Sequence, residues 1–322
     1  MKVKFNGEMS EFLSLVGGGG QGTLIGQIEY LVQSNDSADC VPPEDRFRYI
    51  DDLSLLQLVC LAGLVSEYNF KQHVASDIGT SQLYLPADSY PTQHKLDTIA
   101  HWTQQNLMQL NANKCYYMIF SRSGTEFATR LSLNNTTLEQ KHATKLLGVW
   151  IDETMSWSRN CKELCVKAYS RLSMITKLKY VGVGVEDLVD IYKLFIRSCL
   201  EYCSVAFHSS LTNEQSEKLE RVQKTCLRVI LSEMYVSYEA AMEMCGLETL
   251  FSRRTKRSLT VSLSSLKYPK TCKMFPLKQT HEQDIRKSEK FQVNFARTSV
   301  YRNSAIPYCQ RLLNTNFNSR KQ

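Results

Sequence analysis

No stretch of the 322-residue chain is apolar for long enough to cross a bilayer. The most apolar run, Leu53 to Val65, falls short of the about 20 residues that a membrane helix needs. The amino end, Met1 to Glu8, has no apolar core of the kind a secretory signal carries. A protein that stays off membranes, cytoplasmic or nuclear, is the expectation. A disulfide framework is missing as well. The 11 cysteines are odd in number and scattered, which suits reduced thiols better than a secreted scaffold. Cys161/Cys165 and Cys199/Cys203 each sit four apart, and His208 follows the second pair. That spacing admits a zinc site, but inside helical sequence it favours buried free thiols. No Walker loop, no G-x-G-x-x-G fingerprint after a parallel strand and no internal repeat occurs.

What is present is an ordinary globular composition, 43% apolar and 22% charged, with core enough for two or three domains. The net charge of +7 hides a strong polarity. Residues 1–154 carry 11 Lys+Arg against 17 Asp+Glu, whereas residues 155–322 carry 28 against 15. An acidic half joined to a basic half suggests a cation site next to a polyanion-binding surface, with nucleic acid the natural polyanion.

The stretch around which the chain is organised is Phe47-Arg48-Tyr49-Ile50-Asp51-Asp52-Leu53-Ser54. Apolar and aromatic residues flank two adjacent aspartates, which predicts a strand, a tight reversal and a returning strand. Adjacent carboxylates repel unless a cation neutralises them, and such hard oxygens suit Mg²⁺. A solvated Asp-Asp turn is the plainer alternative. Upstream, Gly17-Gly18-Gly19-Gly20-Gln21-Gly22-Thr23-Leu24-Ile25-Gly26 precedes a helical pattern. It reads either as an anion cradle or as a flexible turn.

Asn6-Gly7 predicts a hairpin between Lys2–Phe5 and Ser10–Val16. Leu96, Ile99, Trp102, Leu107 and Leu110 predict a helical stripe, Cys115–Phe120 a strand, Leu131–Leu133 with Asn134-Asn135 a hairpin, and Lys145–Ile151 one further strand. From Trp157 onward the pattern is helical: Cys161–Leu178, Val185–Cys203, Asn213–Leu231 and Glu239–Leu250. Arg171, Lys177, Lys179, Arg197, Lys218, Arg221, Lys224 and Arg228 decorate these helices, and the cluster Arg253-Arg254-Thr255-Lys256-Arg257 follows. Beyond Lys267 the sequence is polar with isolated aromatics and gives little to read.

Taken in order, these motifs resemble a reverse transcriptase of a non-LTR (LINE-type) retrotransposon, from mid-palm through thumb, over roughly residues 2 to 260. Gly20-Gln21-Gly22-Thr23-Leu24-Ile25-Gly26 resembles the family's Pro-Gln-Gly-Thr-Leu-x-Gly-Pro motif, with Gly20 and Gln27 where prolines are usual. Tyr49-Ile50-Asp51-Asp52 resembles its Tyr-x-Asp-Asp box. Asn111-Ala112-Asn113-Lys114 resembles the Asn-x-x-Lys turn, and Lys145-Leu146-Leu147-Gly148-Val149 the primer-grip strand.

The resemblance implies an α+β fold: an antiparallel palm with helices in residues 1–154, a helical thumb in 155–260, and a C-terminal tail, 261–322, of unknown role. It implies RNA-directed DNA polymerase chemistry with Mg²⁺ on Asp51 and Asp52, and an RNA template, DNA primer and deoxynucleotides as partners. Gln21, Gly22 and Tyr49 would line the nucleotide pocket. Lys114 would lie near the leaving pyrophosphate, unless it is a solvated turn lysine. Leu147, Gly148 and Val149 would hold the primer end. Such polymerases use a further aspartate upstream of the glutamine loop, and no carboxylate between Met1 and Gly20 has that context. The expectation is a truncated copy, inactive alone. The alternative is a non-catalytic nucleic-acid-binding protein derived from a retroelement.

Overall fold

The computed structural model describes residues 4–5, 8–9, 46–49, 52–55, 83–84, 91–108, 110–120, 127–128, 130–278 and 290–319. The chain divides into two compact units, Met1–His142 and Ala143–Gln322.

The described strands of the first unit form short ladders. Strands β1 (Lys4–Phe5) and β2 (Glu8–Met9) pair antiparallel around Asn6-Gly7, so the hairpin forms but returns through Glu8–Met9. The expected return at Ser10–Val16 lies outside the described residues. Strands β3 (Arg46–Tyr49) and β4 (Asp52–Leu55) pair antiparallel with Tyr49 opposite Asp52. Strand β5 (Leu83–Tyr84) pairs in parallel with β7 (Phe127–Ala128), and β6 (Tyr116–Tyr117) in parallel with β10 (Glu139–Gln140). Strands β8 (Ser132–Leu133) and β9 (Thr136–Thr137) form the expected hairpin. Its turn residues Asn134 and Asn135 have φ of 49° and 62°, the left-handed pair that asparagine tolerates best. The described strands thus form separate two-stranded ladders and not one antiparallel sheet.

Helix α1 (Pro91–Gln105) opens on a proline, whose fixed φ suits a first helical position. Its Ala100 packs on Leu131, Leu133 and Leu138. Gln93 fastens the contact, since its amide donates to the Ser132 carbonyl at 2.9 Å and its oxygen accepts from the Ser132 N–H at 3.0 Å. The expected helical stripe ends early. Leu107 lies beyond the helix at φ 55°, 95% exposed, and only Leu110 turns back to the apolar side.

The second unit opens with a hairpin of β11 (Ala143–Leu146) and β12 (Val149–Asp152), where one strand was expected. Leu147 and Gly148 form its two-residue turn, with φ of 46° and 88°. This hairpin belongs to the second compact unit, which begins at Ala143. Helix α2 (Ser158–Tyr180) follows, then α3 (Val185–Ile191), a π-helical segment (Tyr192–Arg197), α4 (Ser198–Glu201) and α5 (Ser204–Phe207). Next come α6 (Asn213–Leu231), α7 (Tyr238–Met244), α8 (Leu250–Ser265), α9 (Pro269–Cys272), α10 (Ser299–Arg302) and α11 (Ala305–Ser319).

Buried Leu188, Tyr192, Ile196 and Leu200 recur every four residues. On a regular helix such spacing drifts by about 40° per step. The wider π turn over Tyr192–Arg197 absorbs that drift and keeps the row facing inward. Helix α6 needs no such correction: Thr212 and Gln215 form a reciprocal capping box at its start, and Leu219, Val222, Cys226, Leu227 and Ile230 form its inner stripe. One core holds α2, α3, the π segment, α6 and α7 together. The expected helix Glu239–Leu250 is two helices, broken where Gly246 takes φ 60°.

Candidate functional site

The glycine loop with Gln21 and Gly22, and Asp51 itself, lie outside the described residues. The described register places Tyr49 opposite Asp52 at the end of the β3–β4 ladder. Leu53, next to Asp52, packs on Ile99 of α1, which is 4% exposed. Leu110 packs on the same Ile99 and leads directly into Asn111–Lys114. There the Lys114 N–H donates to the Asn111 carbonyl at 2.9 Å, closing a 3₁₀ turn that leaves Lys114 exposed. One helix residue therefore anchors both the strand that begins at Asp52 and the turn that carries Lys114.

Leu147, Gly148 and Val149 stand together at the β11–β12 turn. Val149 is 6% exposed and enters the helical core, while Leu147 is 43% exposed at the tip. The Tyr202 hydroxyl donates to the Leu147 carbonyl at 2.8 Å. Trp150 is fixed on both sides: its N–H donates to Asn160 Oδ1 at 3.2 Å and the Arg159 guanidinium stacks 3.4 Å from its ring. Asp152 closes the hairpin by accepting from the N–H and hydroxyl groups of Thr154 and Ser156. Burial pushes its carboxyl up, and these four donors outweigh it and hold it below the usual range.

Most of the cations that decorate the helices are engaged in holding the fold. Lys179 donates to the carbonyls of Val229 and Ile230 at 2.6 and 2.7 Å, where its charge meets the negative end of α6. Arg171 donates to the Phe195 carbonyl of the π segment. Lys218 pairs with Glu214 at 2.7 Å, and Lys224 and Arg228 lie over the rings of Tyr238 and Tyr235. Arg253 makes a two-pronged pair with Glu201 at 2.5 and 3.0 Å. Arg254, in the middle of the basic cluster, is 1% exposed. Its Nε donates to His208 Nδ1 at 3.2 Å and its Nη2 to Ser216 at 2.9 Å.

One face of α2 is open as well. Lys162, Val166, Tyr169, Ser173, Lys177 and Tyr180 recur at helical spacing and all are exposed, opposite the buried Cys161, Leu164, Ala168 and Ile175. Over about 27 Å this stripe offers cations and flat rings. Lys162 and Lys177 have no carboxylate partner among the described residues, and Glu163 is the one acidic residue of α2. Periodicity alone could have singled out this face, because the buried stripe fixes which residues point away. Cys161, Cys165, Cys199 and Cys203 are free thiols, and the described residues contain no group of three metal-capable side chains. None of the described helices is long and apolar enough to cross a membrane.

Over 233 residues, 71% of its length, the chain is 24% identical to the "RNA-directed DNA polymerase from mobile element jockey" of Drosophila melanogaster. What the chain is similar to is a reverse transcriptase. It spans 23% of that polymerase's length. No family model matches the sequence and no solved structure matches the fold.

Proposed function

We propose that this chain is a segment of a retrotransposon RNA-directed DNA polymerase of the non-LTR type, transferring nucleotides to a primer 3′-hydroxyl. The observation that carries the reading is the similarity to the jockey polymerase over 71% of the chain, in a sequence whose motifs follow the order of such polymerases. Asp51 and Asp52 would hold Mg²⁺, for which two hard carboxylates next to each other are apt donors. The bound ion would neutralise the triphosphate and stabilise its leaving oxygens. Gln21, Gly22 and Tyr49 would line the nucleotide pocket, with Lys114 facing the departing pyrophosphate. The Leu147–Val149 turn would support the primer end. The open face of α2 would track the phosphates of the primer–template duplex.

A second reading, a non-catalytic nucleic-acid-binding protein, is favoured by one observation: the α2 face needs no catalytic residue to bind a duplex. Two measurements separate the readings. The chain, grafted in place of the matching segment of the jockey polymerase, should extend a DNA primer on an RNA template with Mg²⁺, and Asp51→Asn should abolish extension. The chain by itself should bind a deoxynucleoside triphosphate only with Mg²⁺ or Mn²⁺, and lose that dependence in Asp51→Asn/Asp52→Asn. Metal-independent nucleotide binding that the double variant leaves unchanged, beside intact duplex binding, would favour the second reading.

A further inference from the structure

Helices α6 and α8 pack on each other in the second unit, and two hydrogen bonds fix their register. The Leu250 N–H, at the start of α8, donates to Glu220 Oε1 at 3.1 Å. One turn further along α8, Arg254 Nη2 donates at 2.9 Å to the hydroxyl of Ser216, one turn back along α6. Glu220 and Arg254 therefore stand on facing turns of one seam. Each of these charged groups keeps one atom unused. Glu220 Oε2 and Arg254 Nη1 are both shut off from solvent, and neither has a hydrogen-bond partner among the described residues. The rest of each head group is engaged. Glu220 Oε1 also accepts from the Tyr238 hydroxyl, and Arg254 Nε donates to His208 Nδ1 at 3.2 Å.

A charged group left buried with an unpaired atom is costly to a fold. Arg254 is 1% exposed, so bulk solvent does not supply the missing partner. Nor do the two groups pair with each other, since no direct ion pair joins them. Burial pushes the Arg254 guanidinium down, and the Glu220 carboxylate is the group that most opposes this, so the opposite charges are within electrostatic reach. Chemistry decides what fits between them. An anion would be attracted by Arg254 and repelled by the Glu220 carboxylate, and a cation would meet the reverse. A small neutral molecule that accepts from Nη1 and donates to Oε2 satisfies both at once. Water does so, and the internal waters of folded proteins sit on buried polar groups that lack another partner.

We infer that the α6–α8 seam binds an internal water that bridges Arg254 Nη1 and Glu220 Oε2, completing a water-mediated ion pair across the helical core. Neither residue belongs to the polymerase site, so the pair stands whether or not the first unit is a polymerase. The first measurement is oxygen-17 relaxation dispersion on the full chain, which counts waters held inside the fold. Arg254→Met/Glu220→Leu removes both partners and should hold fewer such waters than wild type, whereas Lys177→Met on α2 should hold as many. The second is a double-mutant cycle in urea. Arg254→Met and Glu220→Gln should each lower the midpoint. Together they should lower it by less than the sum of the two, because each single variant strands the opposite charge. Glu220→Gln keeps an oxygen for the Leu250 N–H and the Tyr238 hydroxyl, so the register of α6 and α8 survives it. If an Arg254 variant does not fold, Overhauser transfer from water to the Arg254 guanidinium protons of the wild-type chain reads the same contact, and its absence overturns the inference. An unchanged water count, or midpoint shifts that simply add, would overturn it as well. Strong coupling with an unchanged count would mean instead that the two charges meet directly. A midpoint that bromide raises in wild type and not in Arg254→Met would put an anion in place of the water.

Discussion

Tyr202 donates its hydroxyl proton to the Leu147 carbonyl at 2.8 Å, and its ring lies 3.4 Å from where a side chain on Gly148 would begin. A residue from the helices thus holds the tip of the hairpin from outside. With Val149 in the core and Trp150 pinned by Asn160 and Arg159, the β11–β12 hairpin is a fixed outgrowth of the helical unit. If the turn supports a primer end, its position is set by those helices.

Gly148→Ala should destabilise the second unit. The residue holds φ 88°, where an alanine is strained by about 1–2 kcal/mol, and the Tyr202 ring leaves little slack. Tyr202→Phe should cost less, about 0.5–1.5 kcal/mol, because it removes one hydrogen bond at a half-exposed site. Urea denaturation of the two variants checks the order. A Tyr202→Phe midpoint below that of Gly148→Ala would mean the turn is not under backbone control.

Gln223→Leu should cost about 2–4 kcal/mol, although leucine is apolar and of similar size. Gln223 is fully buried and links three elements: it accepts from Tyr192 at 2.5 Å and donates to Tyr238 at 2.7 Å and to the Glu248 carbonyl at 3.0 Å. Tyr238 in turn donates to Glu220. Burial pushes both phenols well above their usual range, so they remain neutral donors. Leucine would strand the Tyr192 hydroxyl and the Glu248 carbonyl and leave Tyr238 with its bond to Glu220 alone. A midpoint within experimental error of wild type would show that the network contributes nothing net.

Helix α6 was legible in the sequence to the residue, because its apolar stripe, capping box and exposed cations all agree on one register. The β11–β12 hairpin was not. Leu147-Gly148 looks like the middle of an apolar strand, and a left-handed leucine is rare enough that no local rule predicts it. Nor does a run of basic residues tell which one is buried: the helix turns Arg254 inward and leaves Lys256 and Arg257 outside. Helix α11 was missed because buried Gln310 and Asn314 interrupt its apolar pattern, and their partners lie far away in sequence. Of the candidate site, the order of motifs could be read, but which cations the fold itself engages could not.

Stability should fall as the pH drops from about 6.5 toward 4. Burial pushes the His208 imidazole down to about 4, and the neighbouring Arg254 guanidinium adds to it. The ring accepts from Arg254 at Nδ1, so its Nε2–H donates to Thr255 at 3.0 Å, and Phe251 and Tyr308 pack against it edge-on. Among the described residues no carboxylate hydrogen-bonds the ring to stabilise an imidazolium. The unfolded chain takes up a proton first, near the ordinary 6.5, so this contribution is complete above that pH and is lost down to about 4. The slope from this one group is at most about 1.4 kcal/mol per pH unit. His208→Asn keeps an acceptor for Arg254 but does not titrate, so its stability profile should be flatter over that window. Identical slopes in the two proteins would mean that His208 is not what titrates there.

Two lysines on the same helix should fail in opposite ways. Lys179 lies three bonds deep in the end of α6, donating to two carbonyls and to the Ser232 hydroxyl. Lys177, two residues earlier, points to solvent from the open face of α2 with no partner among the described residues. Lys179→Met keeps the stem but leaves the last carbonyls of α6 uncapped, which should lower stability by about 1–2 kcal/mol. Its effect on duplex affinity, measured well below the melting temperature, should be small. Lys177→Met removes a charge that holds nothing in the fold, so the melting temperature should stay put. If the α2 face meets a duplex, its binding should weaken and the salt slope should fall by about 0.9, the signature of one lost phosphate contact. Adding Lys162→Met should take away a second, similar increment, because the two residues stand far enough apart to act independently. The decisive comparison is thermal melting against salt-dependent duplex binding for the three variants. Loss of both properties in every variant would mean that the helix itself is disturbed. A Lys177→Met/Lys162→Met slope equal to wild type would remove the α2 face as a duplex-binding surface.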